Sequence, residues 1–165
     1  MVLRATTSTD HDALLALYPL AFPEEDLLVL VRDLLAAPEG QVISLAAIEG
    51  DALVGHVALT LSPQGALLGP LAVHPDHQRQ GLGTALVDAG CSAVRDAGGG
   101  HVFLLGDPAY YSRLGFRTET QVKTPLPIPD AWAPAWQSRA VVEGSVTEPS
   151  VLDVPDFWRV PSYWG

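Results

Sequence analysis

The sequence is poor in cysteine and lysine, because Cys91 and Lys123 are the only residues of their types among 165. With one lysine and a net charge of −10, the chain lacks the cations that neutralise phosphate backbones, which excludes a nucleic-acid partner. The single cysteine and a start without the apolar region of a signal peptide predict a cytoplasmic location. No uncharged apolar run approaches the roughly 18 residues of a membrane helix, so no membrane partner is expected.

Hydrophobic residues make up 48% of the chain and charged residues 17%, which is typical of a globular protein. A chain of this length buries about two-thirds of its unfolded surface, so we expect a single domain over residues 1–165. A proline-rich loop is predicted at about 120–136, and an aromatic tail at about 145–165. The tail is expected to pack on its own domain. The alternative is that it packs on a second subunit, which would make the protein a homodimer.

Apolar spacing predicts the elements that surround the centre of the chain. These are a strand at 2–6, a helix that starts near Thr9 and ends before Pro19, a helix opened by Glu24 and Glu25, and a hairpin of strands 41–48 and 52–61. A later helix is expected to be buried along Leu82, Ala85, Leu86, Ala89, Ala93 and Ala97. A helix capped by Asp107 and a final strand at 137–143 follow.

Between Leu67 and Val87, a strand, a polar turn and a glycine-bearing loop lead directly into a helix. The first turn of a helix has N–H groups without intrahelical partners, and the helix dipole adds partial positive charge there. Gly81 and Gly83 lack a Cβ, so the chain can take positive φ and a diphosphate can approach the main chain. Because Arg79 adds a cation beside these amides, the stretch predicts a diphosphate site.

The spacing of this loop fits neither a dinucleotide fingerprint nor a P-loop, so a generic nucleotide-binding domain is excluded. The residues from Gln78 to Gly83 instead match Q/R-x-x-G-x-G/A, after a strand that ends Leu-Ala-Val-His-Pro. Downstream, Tyr111 to Phe116 match Y-x-x-x-G-F. On these two motifs, roughly the first 120 residues resemble the GNAT acetyltransferase superfamily.

The resemblance implies a mixed α/β fold, with a twisted, mostly antiparallel sheet, splayed central strands and helices on both faces. It implies acetyl-CoA as the acyl donor. The residues implied to bind it are Leu71, Ala72, Val73, Gln78, Arg79, Gln80, Gly81, Leu82, Gly83, Thr84, Asp107 and Tyr111. Main-chain N–H groups around Val73 would polarise the thioester carbonyl, and the Tyr111 hydroxyl would act as general acid toward the departing thiolate. Two alternatives are open for Tyr111: it is a core tyrosine without a catalytic role, or Tyr110 is the general acid instead.

The general base is the least defined part of the site. Glu25, beside Glu24, lies where some members of the superfamily keep an acid near the acceptor, and it is the candidate base. The alternative is that both acids only stabilise the start of a helix. His56 either faces the cleft or packs on a helix. The His74, Asp76 and His77 side chains are too few for a zinc site, so no metal is expected.

The resemblance therefore implies an N-acetyltransferase that moves an acetyl group directly from acetyl-CoA to a primary amine in a ternary complex. The alternative from another class is a non-catalytic acyl-CoA-binding regulatory module of the same fold. Tyr111 favours the enzyme, whereas the undefined base leaves the module open. The acceptor, a small-molecule amine or a protein amine, is left open too. The acidic net charge suits a cationic acceptor, and it equally suits a role in solubility alone.

Overall fold

The computed structural model describes all 165 residues. The helices are α1 (His11–Ala21), α2 (Leu28–Leu35), α3 (Leu82–Asp96) and α4 (Pro108–Tyr111). The strands are β1 (Val2–Ala5), β2 (Val42–Glu49), β3 (Ala52–Ser62), β4 (Gly65–Val73), β5 (His101–Leu105), β6 (Arg117–Thr118), β7 (Val122–Lys123), β8 (Trp136–Ala140) and β9 (Ser150–Val151). None of the four helices has the length and apolar character needed to cross a membrane.

Seven strands form one sheet in the order β1-β2-β3-β4-β5-β8-β6. The pairs β1–β2, β2–β3, β5–β8 and β6–β8 are antiparallel. The β4–β5 pair is parallel, and its register joins Ala66 to Val102 and Leu67 to Phe103, at the start of both strands. This mostly antiparallel sheet with a short parallel central pair confirms the predicted α/β fold class.

The chain divides into two compact units. The first contains residues 1–60 and 69–93, and the second contains residues 61–68 and 94–165. The first unit therefore holds α1, α2, the β2–β3 hairpin and most of α3. The second holds β5 to β9, α4 and the tail.

In the first unit, helices cover both faces of the hairpin strand β3. A Cβ added at Gly55 would lie 3.0 Å from Leu86 and 3.3 Å from Leu82, so α3 packs closely on this residue. The next residue, His56, contacts Tyr18 of α1. Because consecutive strand residues point to opposite faces, α1 and α3 lie on opposite sides of β3, as predicted.

Two predicted helix details in the first unit are wrong. Helix α1 continues through Pro19 to Ala21, since burial of Leu17 and Tyr18 in the same turn outweighs one lost hydrogen bond. Glu24 and Glu25 lie in a turn before α2 rather than in its first turn. The side chain near the start of α2 is instead Asp26, whose Oδ1 accepts from the Leu28 N–H at 3.2 Å.

The buried stripe of α3 is also rotated from the predicted one. Its buried residues include Leu82, Leu86, Val87, Gly90, Cys91 and Val94. Ala85 and Ala97 are exposed. Apart from Gly90, which lies against Leu59, the buried residues have larger side chains than alanine, and each removes more apolar surface from water than an alanine does.

The second unit is held by aromatic packing of the tail. Trp158 and Trp164 are buried, and the Trp164 ring lies 6.0 Å from Trp136 and 6.2 Å from Trp158 between centroids. The indole N–H of Trp164 donates to the Trp158 carbonyl at 2.8 Å. The tail therefore packs on its own chain, as predicted.

The region predicted as an irregular proline-rich loop contains regular structure. Strand β7 pairs in parallel with β9, Asp130–Ala135 forms a 3-10 helix, and Trp136 begins β8. The final strand thus starts one residue earlier than expected and ends at Ala140. Burial of Trp136 against the tail explains its place in a strand, since no periodic signal in the sequence marks it.

A buried carboxylate ties this region together. Glu119 is 8% exposed, and its Oε1 accepts from the Ser138 hydroxyl at 2.6 Å. Its Oε2 accepts from the N–H groups of Gln121 and Val122 and from the Thr147 hydroxyl, at 2.8, 2.8 and 3.1 Å. Burial alone would raise the pKa of Glu119, but these hydrogen bonds together outweigh it and lower the pKa.

Candidate functional site

The predicted diphosphate loop opens α3 as expected, with one exchange of roles. Gly81 has φ +81° and precedes the helix, and its carbonyl accepts from the Ala85 N–H at 3.0 Å. The second left-handed residue is Arg79, at φ 62°, whereas Gly83 lies inside α3. Helix geometry therefore leaves the N–H groups of residues 82–84 without intrahelical partners. A Cβ at Gly81 would meet no atom within 4 Å, so the approach to this loop is open.

The loop is held by its own side chains and by the β2–β3 hairpin. The Gln78 side chain donates to the Val73 carbonyl at 3.1 Å. His74 Nδ1 accepts from the Asp76 N–H at 3.1 Å, and His77 Nε2 lies 2.6 Å from a carboxylate oxygen of Glu49. Gln78 thus has a structural contact that its predicted role did not include. The start of the loop is therefore anchored, and residues 78 to 81 are exposed.

The strand segment predicted to meet the thioester, Leu71 to Val73, lies above a buried apolar cluster. Ala72 is 1% exposed and packs with Leu17, Tyr18 and Val31. Partly buried side chains from the α1–α2 region and β3 also pack on this cluster, among them Phe22, Leu27, Leu28 and Leu53. The end of β4 is therefore fixed directly against the segment that joins α1 to α2.

That joining segment encloses a cavity of about 480 Å³ within the first unit. Its lining residues are Tyr18, Pro19, Phe22, Pro23, Glu24, Glu25, Asp26, Leu27 and Leu28. The rings of Tyr18 and Phe22 stack at 6.1 Å between centroids. The three acids are exposed, so the cavity has an aromatic wall and an anionic rim. Such a site favours a cation that has an apolar portion.

His56 packs on a helix rather than facing an open cleft. It is 1% exposed, with Nδ1 2.6 Å from the Tyr18 hydroxyl and Nε2 2.8 Å from the Ser44 hydroxyl. Burial lowers the pKa of His56 to about 4, against an opposing effect of the Asp10 charge. Burial also raises the pKa of Tyr18. Both side chains are therefore neutral near pH 7. Sequence analysis missed Tyr18 and Ser44, because nothing in the local pattern indicates that they meet at His56.

In the second unit, Asp107 caps α4 as predicted. Its Oδ1 accepts from the Ala109 N–H at 2.9 Å, with Pro108 at the first helical position. The Tyr111 N–H donates to the Asp107 carbonyl at 3.0 Å, so the cap and the candidate general acid lie on one helical turn. Gly106 lies directly against the Tyr111 ring, since a Cβ there would come within 2.6 Å of it.

The environment of Tyr111 keeps its hydroxyl protonated. The ring packs edge-on against Tyr110 at 4.8 Å and against Phe116 at 5.8 Å between centroids. Burial, with a smaller contribution from Tyr110, raises the pKa of Tyr111 to about 12. A phenol with this pKa is a hydrogen-bond donor throughout the neutral range.

Comparison with known proteins identifies the family. Residues 11–116 match the acetyltransferase (GNAT) family, which is more than half of the chain. The uncharacterized N-acetyltransferase YjhQ of Escherichia coli K12 is 34% identical over 62% of this chain, and the match spans 62% of that relative. The uncharacterized N-acetyltransferase YhbS of the same strain is 33% identical over 70% of this chain and 73% of its own length.

A solved structure agrees over nearly the whole chain. The crystal structure of E. coli YhbS, a GNAT family N-acetyltransferase in complex with CoA, superposes with a TM-score of 0.83 at 25% identity, covering 96% of this chain and 92% of that one. The sheet, the glycine loop opening α3 and the match across residues 11–116 lead to one conclusion. This chain belongs to the GNAT acetyltransferase family.

Proposed function

We propose that the protein transfers an acetyl group from acetyl-CoA to a primary amine by direct attack in a ternary complex. One observation carries this proposal: the cavity with the anionic rim is built on the same apolar cluster as Ala72, in the strand segment assigned to the thioester. An amine in this cavity would lie beside the segment that holds the acyl group. The CoA bound by the YhbS relative supports the choice of donor.

The donor is held by the main chain more than by side chains in this proposal. The diphosphate binds the N–H groups at the start of α3 and the Arg79 guanidinium, while residues 71–73 receive the pantetheine arm and the thioester. An N–H near Val73 donates to the thioester carbonyl oxygen, which stabilises the negative charge that develops there during attack. Asp107 contacts the pantetheine arm from the capped turn of α4.

The acceptor is a cationic amine, carried by a small molecule or by a protein. Glu24, Glu25 and Asp26 attract its ammonium form, and Tyr18 and Phe22 contact the carbon atoms next to the nitrogen. Glu25 is the candidate base among the three acids. Tyr111 donates its proton to the sulfur of the departing CoA, and its pKa of about 12 keeps that proton in place until the sulfur gains negative charge.

Calorimetric titration with acetyl-CoA and a thiol-release assay on a panel of amines test the proposal. We expect binding, turnover, and a fall in kcat of roughly a hundredfold or more in Tyr111→Phe. Tyr110→Phe is the matched control, because it removes the neighbouring hydroxyl from the same short helix. Binding without turnover on any amine would favour the regulatory module. Absence of binding would overturn the donor site itself.

Two neutral variants, Glu25→Gln and Glu24→Gln, show whether Glu25 acts as the base or only attracts the ammonium group of the acceptor. If Glu25 is the base, Glu25→Gln lowers kcat by roughly tenfold or more, whereas Glu24→Gln raises KM for the amine with little change in kcat. Equal rises in KM for both variants, with kcat unchanged, would show that the two acids only attract the substrate. Steady-state kinetics at two salt concentrations provide the measurement, since attraction at an exposed rim is screened by salt.

A further inference from the structure

A continuous chain of four polar side chains crosses the first unit. The Thr6 hydroxyl donates to the Ser44 hydroxyl at 2.7 Å, the Ser44 oxygen lies 2.8 Å from His56 Nε2, and His56 Nδ1 lies 2.6 Å from the Tyr18 hydroxyl. His56 and Tyr18 are each 1% exposed. Each distance is that of a well-formed hydrogen bond.

The two ends of this chain reach two different cavities. Tyr18 lines the 480 Å³ cavity with the acidic rim. Thr6 and Ser44 line a separate cavity of about 490 Å³, bordered by residues that include His11, Leu35 and Pro38. No residue lines both cavities, and His56 lines neither of them. The imidazole is therefore the buried link between two spaces that are otherwise separate.

Every member of the chain can donate one hydrogen bond and accept another at the same time. A hydroxyl does so by rotating, and a neutral imidazole does so by carrying its proton on either nitrogen. The burial that keeps the His56 ring neutral preserves this property, because an imidazolium would donate on both sides. No member is a fixed charge that would trap a proton.

We propose that Tyr18, His56, Ser44 and Thr6 form a proton relay that carries the proton lost by the amine from the acid-rimmed cavity to the second cavity. This inference rests on the proposed acetyl transfer. It assigns the exit route of the proton to Tyr18 rather than to Glu25, with Tyr18 as the group that contacts the amine and the other three residues acting through it.

The transfer balances at each atom. The ammonium gives a proton to the Tyr18 oxygen as the Tyr18 hydroxyl proton moves to His56 Nδ1. The Nε2 proton moves to the Ser44 oxygen, the Ser44 proton moves to the Thr6 oxygen, and the Thr6 proton leaves to water in the second cavity. One proton enters and one leaves, and no side chain changes charge.

After this transfer Thr6 donates to Ser44, which is the direction of that bond in the structure. Rotation of the hydroxyls and a change of imidazole tautomer restore the starting arrangement. The route complements the exposed acids of the rim, since the rim attracts an ammonium while the relay removes its proton.

A proton relay and a purely structural hydrogen-bond series predict opposite effects of Ser44→Ala on the hydrogen exchange of His56. In protein labelled with ¹⁵N-histidine, NMR measures the exchange with water of the buried His56 ring N–H. If the chain conducts protons, Ser44→Ala cuts the route and slows this exchange by roughly tenfold or more. If the Ser44 hydroxyl only stabilises the fold, its loss loosens the site and speeds the exchange, which would overturn the proposal.

Two further variants serve as rescue and control. Ser44→Thr keeps the hydroxyl and should restore the exchange rate. Ser62→Ala removes a buried hydroxyl of β3 that has no hydrogen-bond partner, and it should leave the rate unchanged. If Ser62→Ala slowed the His56 exchange as much as Ser44→Ala does, the slowing would not arise from the proposed relay, which would be overturned.

Turnover gives the second readout. With an accepted amine, Ser44→Ala should lower kcat by roughly tenfold, leave KM within about twofold and change the solvent deuterium isotope effect on kcat. An unchanged isotope effect and kcat would overturn the role of the relay in acetyl transfer. If no amine turns over, the acetyl-transfer proposal fails, whereas the exchange measurement still decides whether the chain conducts protons.

Discussion

Two polar networks lie inside this protein. One is the hydrogen-bonded series of Thr6, Ser44, His56 and Tyr18 in the first unit, and the other is the cluster around Glu119 in the second unit. They differ in the groups at which their hydrogen bonds end. The first runs between two cavities and contains only groups that both donate and accept. The second closes on a carboxylate that only accepts, with four donors aimed at its two oxygens.

Because of this difference, we expect the Glu119 network to stabilise the fold and the His56 network to transfer protons. A closed network with a fixed charge has one low-energy arrangement of hydrogen bonds, so it fixes the geometry of the segments it joins. An open network of neutral groups has two equivalent directions, so a proton can pass along it. The two networks should therefore respond differently to substitution.

Removing the centre of the closed network should be the most destabilising change. Glu119→Ala leaves four donors without their acceptor, and at roughly 1 kcal/mol each we expect the free energy of unfolding to fall by about 4 kcal/mol. Glu119→Gln should cost about 1 to 2 kcal/mol, because the amide keeps one accepting oxygen and can donate to the Ser138 oxygen. Urea denaturation provides the measurement. Glu148→Ala, at an exposed acid in the same region, is the control, and a loss as large as that of Glu119→Ala would contradict the network argument.

The neutral imidazole of the open network should make stability depend on pH. The pKa of His56 is about 4 in the folded protein and near 6.5 in the unfolded chain, so the unfolded chain binds more protons between these values. Stability is therefore complete above pH 6.5 and falls by up to about 3 kcal/mol as the pH drops toward 4. His56→Gln should remove this slope, whereas His11→Gln should keep it. Denaturation curves at several pH values would contradict the prediction if wild type and His56→Gln lost stability in parallel.

A half-exposed ion pair next to the open network should have the smallest effect. The Arg4 guanidinium, with the Thr7 N–H, lowers the pKa of Asp10 to about 2. The Arg4 side chain is 42% exposed, so solvent screening keeps the contribution of the pair to stability at neutral pH small. This contribution is present above about pH 4 and is lost as the pH falls toward 2. Asp10→Asn should lose it, and Asp12→Asn should not. A stability of Asp10→Asn equal to that of wild type at pH 7 would contradict the prediction.

Much of the fold and of the donor loop could be predicted from local pattern. The hairpin turn at 49–51, the Asp107 cap and the loop that opens α3 depend on residues close together in the sequence, and the structure contains all three. Glycine and capping residues act on their own backbone, so their effect does not need the rest of the chain. Even here one detail differed, because Arg79 rather than Gly83 takes the left-handed conformation.

The predictions that failed depended on contacts distant in sequence. Pro19 should have ended α1, yet the helix continues because Leu17 and Tyr18 are buried in the same turn. Trp136 was assigned to a loop, yet it begins β8 because it packs on Trp164 of the tail. In both cases burial of a large side chain outweighed a local preference. The roles of Glu25 and Tyr111 are still predictions, to be tested by the variants above.

Motifs and short-range spacing were enough to predict the family, the order of most elements before residue 120 and the glycine loop at the start of α3. The tertiary structure, by contrast, was needed to show that Tyr18, His56, Ser44 and Thr6, spread over 51 positions of the chain, are joined by consecutive hydrogen bonds. It also decided that Glu24, Glu25 and Asp26 border a cavity rather than only start a helix. A hydrogen bond or a cavity wall requires side chains to meet in space, and folding rather than sequence spacing brings them together.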